Sequence, residues 1–447
     1  MALTVAGSDS GGGAGVQADL KTMEALGVFG TSALTSVTAQ NTQGVDAIED
    51  VSTDVVAAQI GSVAGDFDVG AAKTGMLSSA AIIETVADRL AGYDFPLVVD
   101  PVMVAQSGDR LLAEDAERTL REELLPKATL VTPNLAEAEM LTGTDVTDEA
   151  EMRSVAKRIA ERGPEAVLVT GGHLRGDKLV DVLYAAGETK TFRKRRVDTP
   201  NTHGSGCTLS AAVAAGLAGG ADLQTAVERA EALLDRAVRY GLDVGEGAGP
   251  VHHMAGLRND AARADALGEV REVLRALRDR DAGVLVPEVG LNVAVTTPYA
   301  VDTGEVAAVE GRVHRTADGL VPAGPPWLGA SSHVARLLLA ARHYDPSIAA
   351  AANVRLDDAV AGVVDERLDA VAVDRTAEPD ADPTEEREGG TMAWTVERAM
   401  ADRETVPDAI YDRGAVGKEA MCRLFAESPV ELQERLLRVN DGLGDEN

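Results

Sequence analysis

Cysteine is the scarcest chemistry in this chain, with two residues in 447. That excludes a disulfide framework and any cysteine-rich metal site. Aromatics make up 3% of the chain and hydrophobic residues 45%, so alanine and aliphatic side chains must fill the cores. No apolar run approaches the ~18–20 residues of a membrane span. Met1 to Gly7 lacks the basic and apolar regions of a secretory signal, so a cytoplasmic protein is expected. Positive charge is also short. Lys and Arg total 42 and Asp and Glu 73, a net −31, which opposes binding to nucleic acid or anionic membranes. The acidic residues are spread along the chain, and only eight of the cations are lysine. Adaptation to molar salt, where the Debye length falls to ~3 Å, explains this better than an acidic partner surface. The charge therefore speaks of a halophilic solvent and not of activity.

What is present is long enough for more than one core, since single cores rarely exceed ~250–300 residues. Two domains are expected. The first half alternates strands and helices. Leu3 to Ala6 reads as a strand, Gly7 to Gly15 as a glycine-rich loop, and Val16 to Leu26 as a helix. Leu97 to Asp100, Thr129 to Thr132 and Ala166 to Thr170 are buried-type strands. Ala113 to Leu125 and Glu149 to Arg162 are helical. The alternation predicts an α/β fold, a mainly parallel sheet with helices on both faces. Ligands then bind at the carboxyl ends of the strands. Residues 256–282 carry Leu267, Val270, Leu274 and Leu277 at helical spacing, as a linker or the next domain's first helix. A second αβ pattern starts with Val284 to Pro287 and Leu291 to Val295, and residues 376–391 read as an acidic loop.

The strongest local signal is Asn201 to Thr208, a glycine-rich turn before the helix Leu209 to Leu217. Free backbone N–H groups at such a turn, with the helix dipole, suit an anion and the charge that develops in phosphoryl transfer. The same dipole would lower the pKa of Cys207. A plain turn over a small buried cysteine is the structural alternative. Asp100 ends one strand, and Asn134 and Glu137 (N-x-x-E) follow another. Their oxygens suit Mg²⁺, although such residues are also helix caps. Gly171 and Gly172 end a third strand and would let backbone approach a nucleotide. His252 and His253 read as a packed turn at the domain's end rather than metal ligands.

Ala6 to Asp19, Val37 to Thr42, Lys73 to Leu77, Asp100 to Met103, Asn201 to Cys207 and Gly249 to His253 together resemble the hydroxymethylpyrimidine/phosphomethylpyrimidine kinases of thiamine biosynthesis. The likeness covers about residues 1–255 and implies a ribokinase-like fold, which is often dimeric, so a homodimer is an expectation. It implies ATP as substrate with Mg²⁺ organised by Asp100, Asn134 and Glu137. It implies an anion hole at Gly204, Ser205 and Gly206, and Cys207 where related kinases carry an aspartate base. Gln40 would hold the pyrimidine, Met76 and Val102 would pack it, and Ala14 and Asp19 would complete the wall. Serine at 205, where threonine is more usual, is a mild departure. A pyridoxal kinase is the alternative.

The second half is less explicit. Arg, His and Lys beside glycine and serine at Glu310 to Arg315, Pro325 to Arg336 and Asp412 to Glu419 are candidates for phosphate contacts. Ser331 and Ser332 read as a helix cap. Gly414-x-x-Gly417-Lys418 lacks the spacing of a P-loop. These clusters, with Val286 to Asn292, Ala352 to Arg355 and Gly390 to Trp394, resemble the archaeal thiamine-phosphate synthase domain ThiN over about residues 283–440, in the domain 283–447. That likeness implies condensation of hydroxymethylpyrimidine diphosphate with thiazole phosphate, and roles for Arg312 and His333. A non-catalytic thiamine-phosphate sensor is the alternative.

Overall fold

Apolar residues that alternate between two faces organise the first sheet. A computed structural model describes the chain apart from residues 104–111, 113, 173–177, 318, 376–388, 415–418 and 446–447. It divides into two units, Met1–Leu257 and Arg258–Asn447. The first contains β1 (Ala2–Ala6), β2 (Gly30–Leu34), β3 (Ser36–Gln40), β4 (Val45–Asp50), β5 (Ala71–Thr74), β6 (Leu97–Val99), β7 (Leu130–Val131), β8 (Ala166–Thr170), β9 (Lys178–Ala185) and β10 (Glu188–Arg195). Eight of them form one sheet in the order β10-β9-β8-β7-β6-β5-β1-β2. It is parallel from β2 to β8 and ends in the antiparallel β8-β9-β10. β3 and β4 form a separate hairpin.

The two-residue period of a strand decides the layers. Leu97, Val99, Val167 and Val169 pack with Ile60, Ile83 and Val155 of the helices Thr53–Asp66, Ala80–Leu90 and Glu149–Ala160. Val98, Ala166 and Leu168 turn the other way, onto Leu209, Val213 and Val227 of Ser205–Ala218 and Leu223–Arg239. Both faces are covered, and the carboxyl ends of the parallel strands are left to form a site. No helix among the described residues is long and apolar enough to cross a membrane.

The second unit contains β11 (Asn292–Thr296), β12 (Val306–Val309), β13 (Val313–Thr316), β14 (Gly319–Pro322), β15 (Pro326–Leu328), β16 (Ala350–Arg355), β17 (Ala370–Ala372), β18 (Ala409–Asp412) and β19 (Met421–Ala426). Its main sheet, β15-β12-β11-β16-β19-β18-β17, is antiparallel except for β17-β18. Helix Arg263–Asp279 puts Val270, Val273 and Leu277 into the core of Val293, Val295 and Leu424. It is therefore part of this unit's core. Helices Ser332–Tyr344 and Gly389–Met400 cover the opposite face, where Leu337 and Val396 meet Ala294 and Phe425.

Two expectations change here. Val284 to Pro287 is not a strand, because Ala282–Leu285 forms a 3₁₀ turn. Pro287 has no N–H to give a ladder and Gly290 has φ +91°, so pairing waits until Leu291, which bridges Val313, and the main sheet begins at Asn292. Residues 376–388 of the expected acidic loop, and Gly417 and Lys418, lie outside the described residues. Residues 389–391 belong to the helix Gly389–Met400.

Candidate active site

The glycine-rich turn and the strand ends of the first unit enclose a cavity of about 380 Å³. Gly204 caps the helix Ser205–Ala218 with φ +77°. A Cβ there would lie 1.9 Å from the Gly13 carbonyl oxygen, so only glycine lets the turn meet the 9–14 loop. Ser205 N–H is already bonded to Thr202 O at 3.2 Å. That leaves Gly206 and Cys207 as the amides of the first turn best placed for an anion.

Asp9, which the sequence reading missed, organises the facing loop. Its Oδ1 accepts from Gly11 N at 2.8 Å, and its Oδ2 from Gly13 N at 2.9 Å and Ala14 N at 2.7 Å. Oδ2 also lies 3.2 Å from His203 Nε2. Burial opposes its charge, but the hydrogen bond from His203 and those from the loop hold its pKa below the usual value. Asp9 thereby joins the loop to the residue before Gly204. No motif of spacing signals a pair this far apart.

Gln40, Ala14, Met76 and Val102 line the same cavity as Gly204, Ser205, Gly206 and Cys207. Gln40 stands at an irregularity in the β3-β4 ladder, the kind that re-aims a side chain. The Ser10 hydroxyl pins it by bonding Gln40 N and O, each at 2.7 Å. Asp19 does not line the cavity. It is fully buried and paired with Lys73 Nζ at 2.7 and 2.8 Å, with Thr4 Oγ1 donating at 2.6 Å. Lys73 is also fully buried and does line the cavity. Burial opposes its charge, yet Asp19, Cys207 and Asp100 raise its pKa above the ordinary lysine value. The floor of the site is thus a buried ion pair that the sequence reading did not find.

Asp100, Asn134 and Glu137 come together at the cavity. Asn134 and Glu137 form a capping box: Glu137 N donates to Asn134 Oδ1 at 3.0 Å and Asn134 N to Glu137 Oε2 at 2.9 Å. Burial raises Asp100 and Glu137 above the usual carboxylate range, and the Asp100 charge raises Glu137 further. Two hard, buried carboxylates that resist holding charge together fit a divalent cation. Among the described residues no group of three or more His, Cys, Asp or Glu could hold a metal ion. Water and phosphate oxygens would have to complete the shell.

Two expectations are revised. The helix dipole does not win at Cys207. The residue keeps some surface open to the cavity, but burial of the sulfur, with Asp19 and Asp100 nearby, pushes the thiol up to about 12. Gly171 and Gly172 are absent from the cavity wall. A Cβ at Gly171 would lie 2.0 Å from Val180 O, and its N–H donates to Asp181 Oδ1 at 2.8 Å; the neighbouring strand therefore accounts for that glycine. His252 and His253 are buried under the turn, where Val251 N donates to His203 O.

In the second unit Arg312 is exposed, with φ +74° and Nη1 donating to Val289 O at 2.6 Å. His333 is exposed in the first turn of Ser332–Tyr344. No described contact joins them. Arg312 follows the Val309 end of β12, whereas Gly329, just before that helix, bonds Val306 O at the other end. Ser331 holds the N-cap position without a side-chain capping bond.

A sheet with both faces covered, a glycine turn at a helix N-terminus and paired carboxylates at its carboxyl edge define a ribokinase-like small-molecule kinase. Its fold is similar to that of Bacillus subtilis pyridoxal kinase, solved as an ADP complex, with TM-score 0.54 and 39% identity over 57% of this chain and 98% of that one. The family model of phosphomethylpyrimidine kinase matches residues 9–252, and the chain belongs to that family. The hydroxymethylpyrimidine/phosphomethylpyrimidine kinase of Rhizobium meliloti is 53% identical over 256 residues, 57% of this chain and 96% of that protein. The thiamine biosynthesis bifunctional protein ThiED of Geobacter sulfurreducens is 47% identical over 56% of this chain and 52% of its own length. Residues 269–438 match the model of thiamine-phosphate synthase ThiN. The chain is an enzyme of thiamine biosynthesis with a kinase domain and a ThiN-type domain.

Proposed function

We propose that the first unit moves the γ-phosphoryl group of ATP to the hydroxymethyl oxygen of hydroxymethylpyrimidine, and then a second one to the monophosphate. One observation carries this reading: Gln40, Met76 and Val102 line the same cavity as the 204–207 turn, Asp100 and Glu137. The Gln40 amide can pair with a ring nitrogen and an exocyclic amine. The Gly206 and Cys207 amides face the charge that grows on the transferred group. Mg²⁺, when bound, would neutralise nucleotide phosphate charge, and Asp100 and Glu137 would hold it. With its thiol pKa at about 12, Cys207 stays protonated at neutral pH. It orients the acceptor oxygen, whose proton passes to an oxygen of the transferred phosphoryl group as ADP leaves.

The second unit, on this proposal, joins the pyrimidine diphosphate to thiazole phosphate. The thiazole nitrogen forms the new bond to the pyrimidine methylene carbon as the bond to diphosphate breaks. Arg312 would grip a phosphate bidentately, which lysine cannot copy, and His333 would anchor or protonate the departing group. The test is to give the whole chain hydroxymethylpyrimidine, thiazole phosphate and Mg–ATP, and to identify products by mass spectrometry. Thiamine phosphate is expected. The similarity to pyridoxal kinase makes pyridoxal the informative competitor, and preferential phosphorylation of pyridoxal would overturn the substrate assignment. Tight thiamine-phosphate binding without its formation would make the second unit a sensor. The assay belongs in molar salt, because a net −31 repels itself less as the Debye length shrinks from ~10 Å at 0.1 M to ~3 Å at 1 M. A melting temperature that does not rise over that range would remove the halophile reading.

A further inference from the structure

Gly206, Ser210 and Val213 stand at i, i+4 and i+7 along the helix Ser205–Ala218, so they share one face. Val213 packs with Val98 of β6. Asp100, two residues past Val98, comes up on the same side just beyond the strand's end. At that level the helix offers a hydroxyl in place of another alanine. Ser210 is fully buried. Its Oγ lies 3.1 Å from Asp100 Oδ2, 3.0 Å from Gly206 O and 3.2 Å from Cys207 O. A serine has one proton to donate, and three acceptors compete for it. Bonding back to the carbonyl four residues earlier is the ordinary habit of a helical serine. A carboxylate is the stronger acceptor, and among the described residues no other hydrogen bond reaches the Asp100 side chain. A Cβ added at Gly206 would lie 3.8 Å from the same Oδ2, so the carboxylate rests on the first turn of this helix.

This contact joins two parts of the site that lie 110 positions apart in the chain. The first turn of the helix presents the Gly206 and Cys207 amides to the transferred group. Asp100 is one of the two carboxylates that suit the cation. With Oδ2 tied to Ser210, the carboxylate is held against rotation, and Oδ1 is the oxygen left for the cavity that Asp100 lines. The cation's carboxylate and the anion turn are thereby fastened to one rigid element at a fixed spacing. Partners of this kind orient a metal ligand without touching the metal, and their loss typically costs about 10–100-fold in metal affinity.

We propose that Ser210 is a positioning residue for phosphoryl transfer: its hydroxyl aims Asp100 at the cation and locks that carboxylate to the helix that carries the anion turn. This rests on the kinase reading of the first unit, in which Asp100 holds Mg²⁺. The test uses the whole chain as wild type, Ser210→Ala, Ser210→Thr and Asp100→Asn. Mn²⁺ binding is titrated by electron paramagnetic resonance with ADP present, and ADP binding is titrated without a divalent cation. Pyrimidine phosphorylation is followed over a range of Mg²⁺ concentrations, and a thermal melt accompanies each variant. Ser210→Ala removes one atom and keeps a good helix former. Its Mn²⁺ dissociation constant should rise about tenfold, with cation-free ADP affinity changed less than twofold. The Mg²⁺ concentration for half-maximal phosphorylation should rise by the same factor, and the pyrimidine KM should stay within twofold. A helix that had merely loosened would lower the melting temperature without separating Mn²⁺ from ADP. Ser210→Thr keeps the hydroxyl and should stay within threefold of wild type; if it folds and falls as far as Ser210→Ala, the hydroxyl is not the cause and the inference fails. Wild-type Mn²⁺ binding in Ser210→Ala, with binding at least tenfold weaker in Asp100→Asn, would overturn the inference and leave the kinase reading standing. Wild-type Mn²⁺ binding in Asp100→Asn would remove Asp100 from the cation site, and that part of the kinase reading would fail with the inference.

Discussion

The two units arrange their buried charges with different materials. In the first, amides of a glycine turn at a helix N-terminus face the cavity, and the buried charges beneath are balanced one to one, Lys73 against Asp19. In the second, the guanidinium groups of Arg423 on β19 and of Arg375, beyond the end of β17, approach one carboxylate, Asp412. Backbone donors need glycine in a contiguous stretch, so they leave a motif. A side-chain donor such as Arg423 needs only a strand register, so it leaves a single charged letter in an apolar strand.

Four tests would break or sharpen that contrast, beginning with the largest effect. Gly204→Ala forces a side chain into φ +77° and against Gly13 O. Pyrimidine phosphorylation should fall about 10²–10³-fold, the scale of losing an oxyanion donor, while thiamine-phosphate formation from the ready diphosphate is unchanged. Near-normal kinase turnover would show that the turn's amides are not the anion site.

Lys73→Met strands Asp19 as a buried unpaired charge. A loss of about 3–5 kcal/mol is expected, read from urea unfolding of the kinase transition. Adding Asp19→Leu should recover most of it. If the double variant is no more stable than the single one, the balanced pair is not what holds the floor.

A third test uses pH. Burial first, then Lys21 and the neighbouring histidines, lowers His253 from 6.5 to about 4. The unfolded chain takes up a proton below 6.5, and the native one only near 4. The stabilisation is complete above 6.5 and is lost as pH falls to about 4, in all about 3 kcal/mol. His253→Phe should flatten the unfolding midpoint over that window. An equally steep loss in the variant would place the acid sensitivity elsewhere.

The smallest effect is expected at Cys207. With the thiol at about 12, Cys207→Ala should slow phosphorylation only about tenfold, below the ~10²–10⁴ of general-base catalysis. Its kcat should follow pH as the wild type does. A wild-type rate that climbs tenfold per pH unit from 7 to 9, and is flat in the variant, would restore Cys207 as the base.

Much of the first site was legible in the sequence because its parts are short and contiguous. The strand Ala166 to Thr170 was readable residue for residue from its apolar run. Gln40, Met76, Val102 and the 204–207 turn meet in one cavity as their motifs suggested. Asp19 was legible as a motif member but not as an ion-pair partner. Gly171 was legible as a special glycine, yet the reason was a neighbouring strand and not a ligand. The short run Val284 to Pro287 misled, because four apolar residues do not distinguish a strand from a helical turn.

The sequence by itself determined the alternation of layers, the turn at Gly204 and the helix start at Asn134, since each depends on residues a few positions apart. Only the tertiary structure decided which charges meet. Lys73 finds Asp19 across 54 positions, and His203 finds Asp9 across 194. It also decided the protonation of Cys207. The dipole of a helix end is a local property, whereas desolvation is set by everything packed around the sulfur.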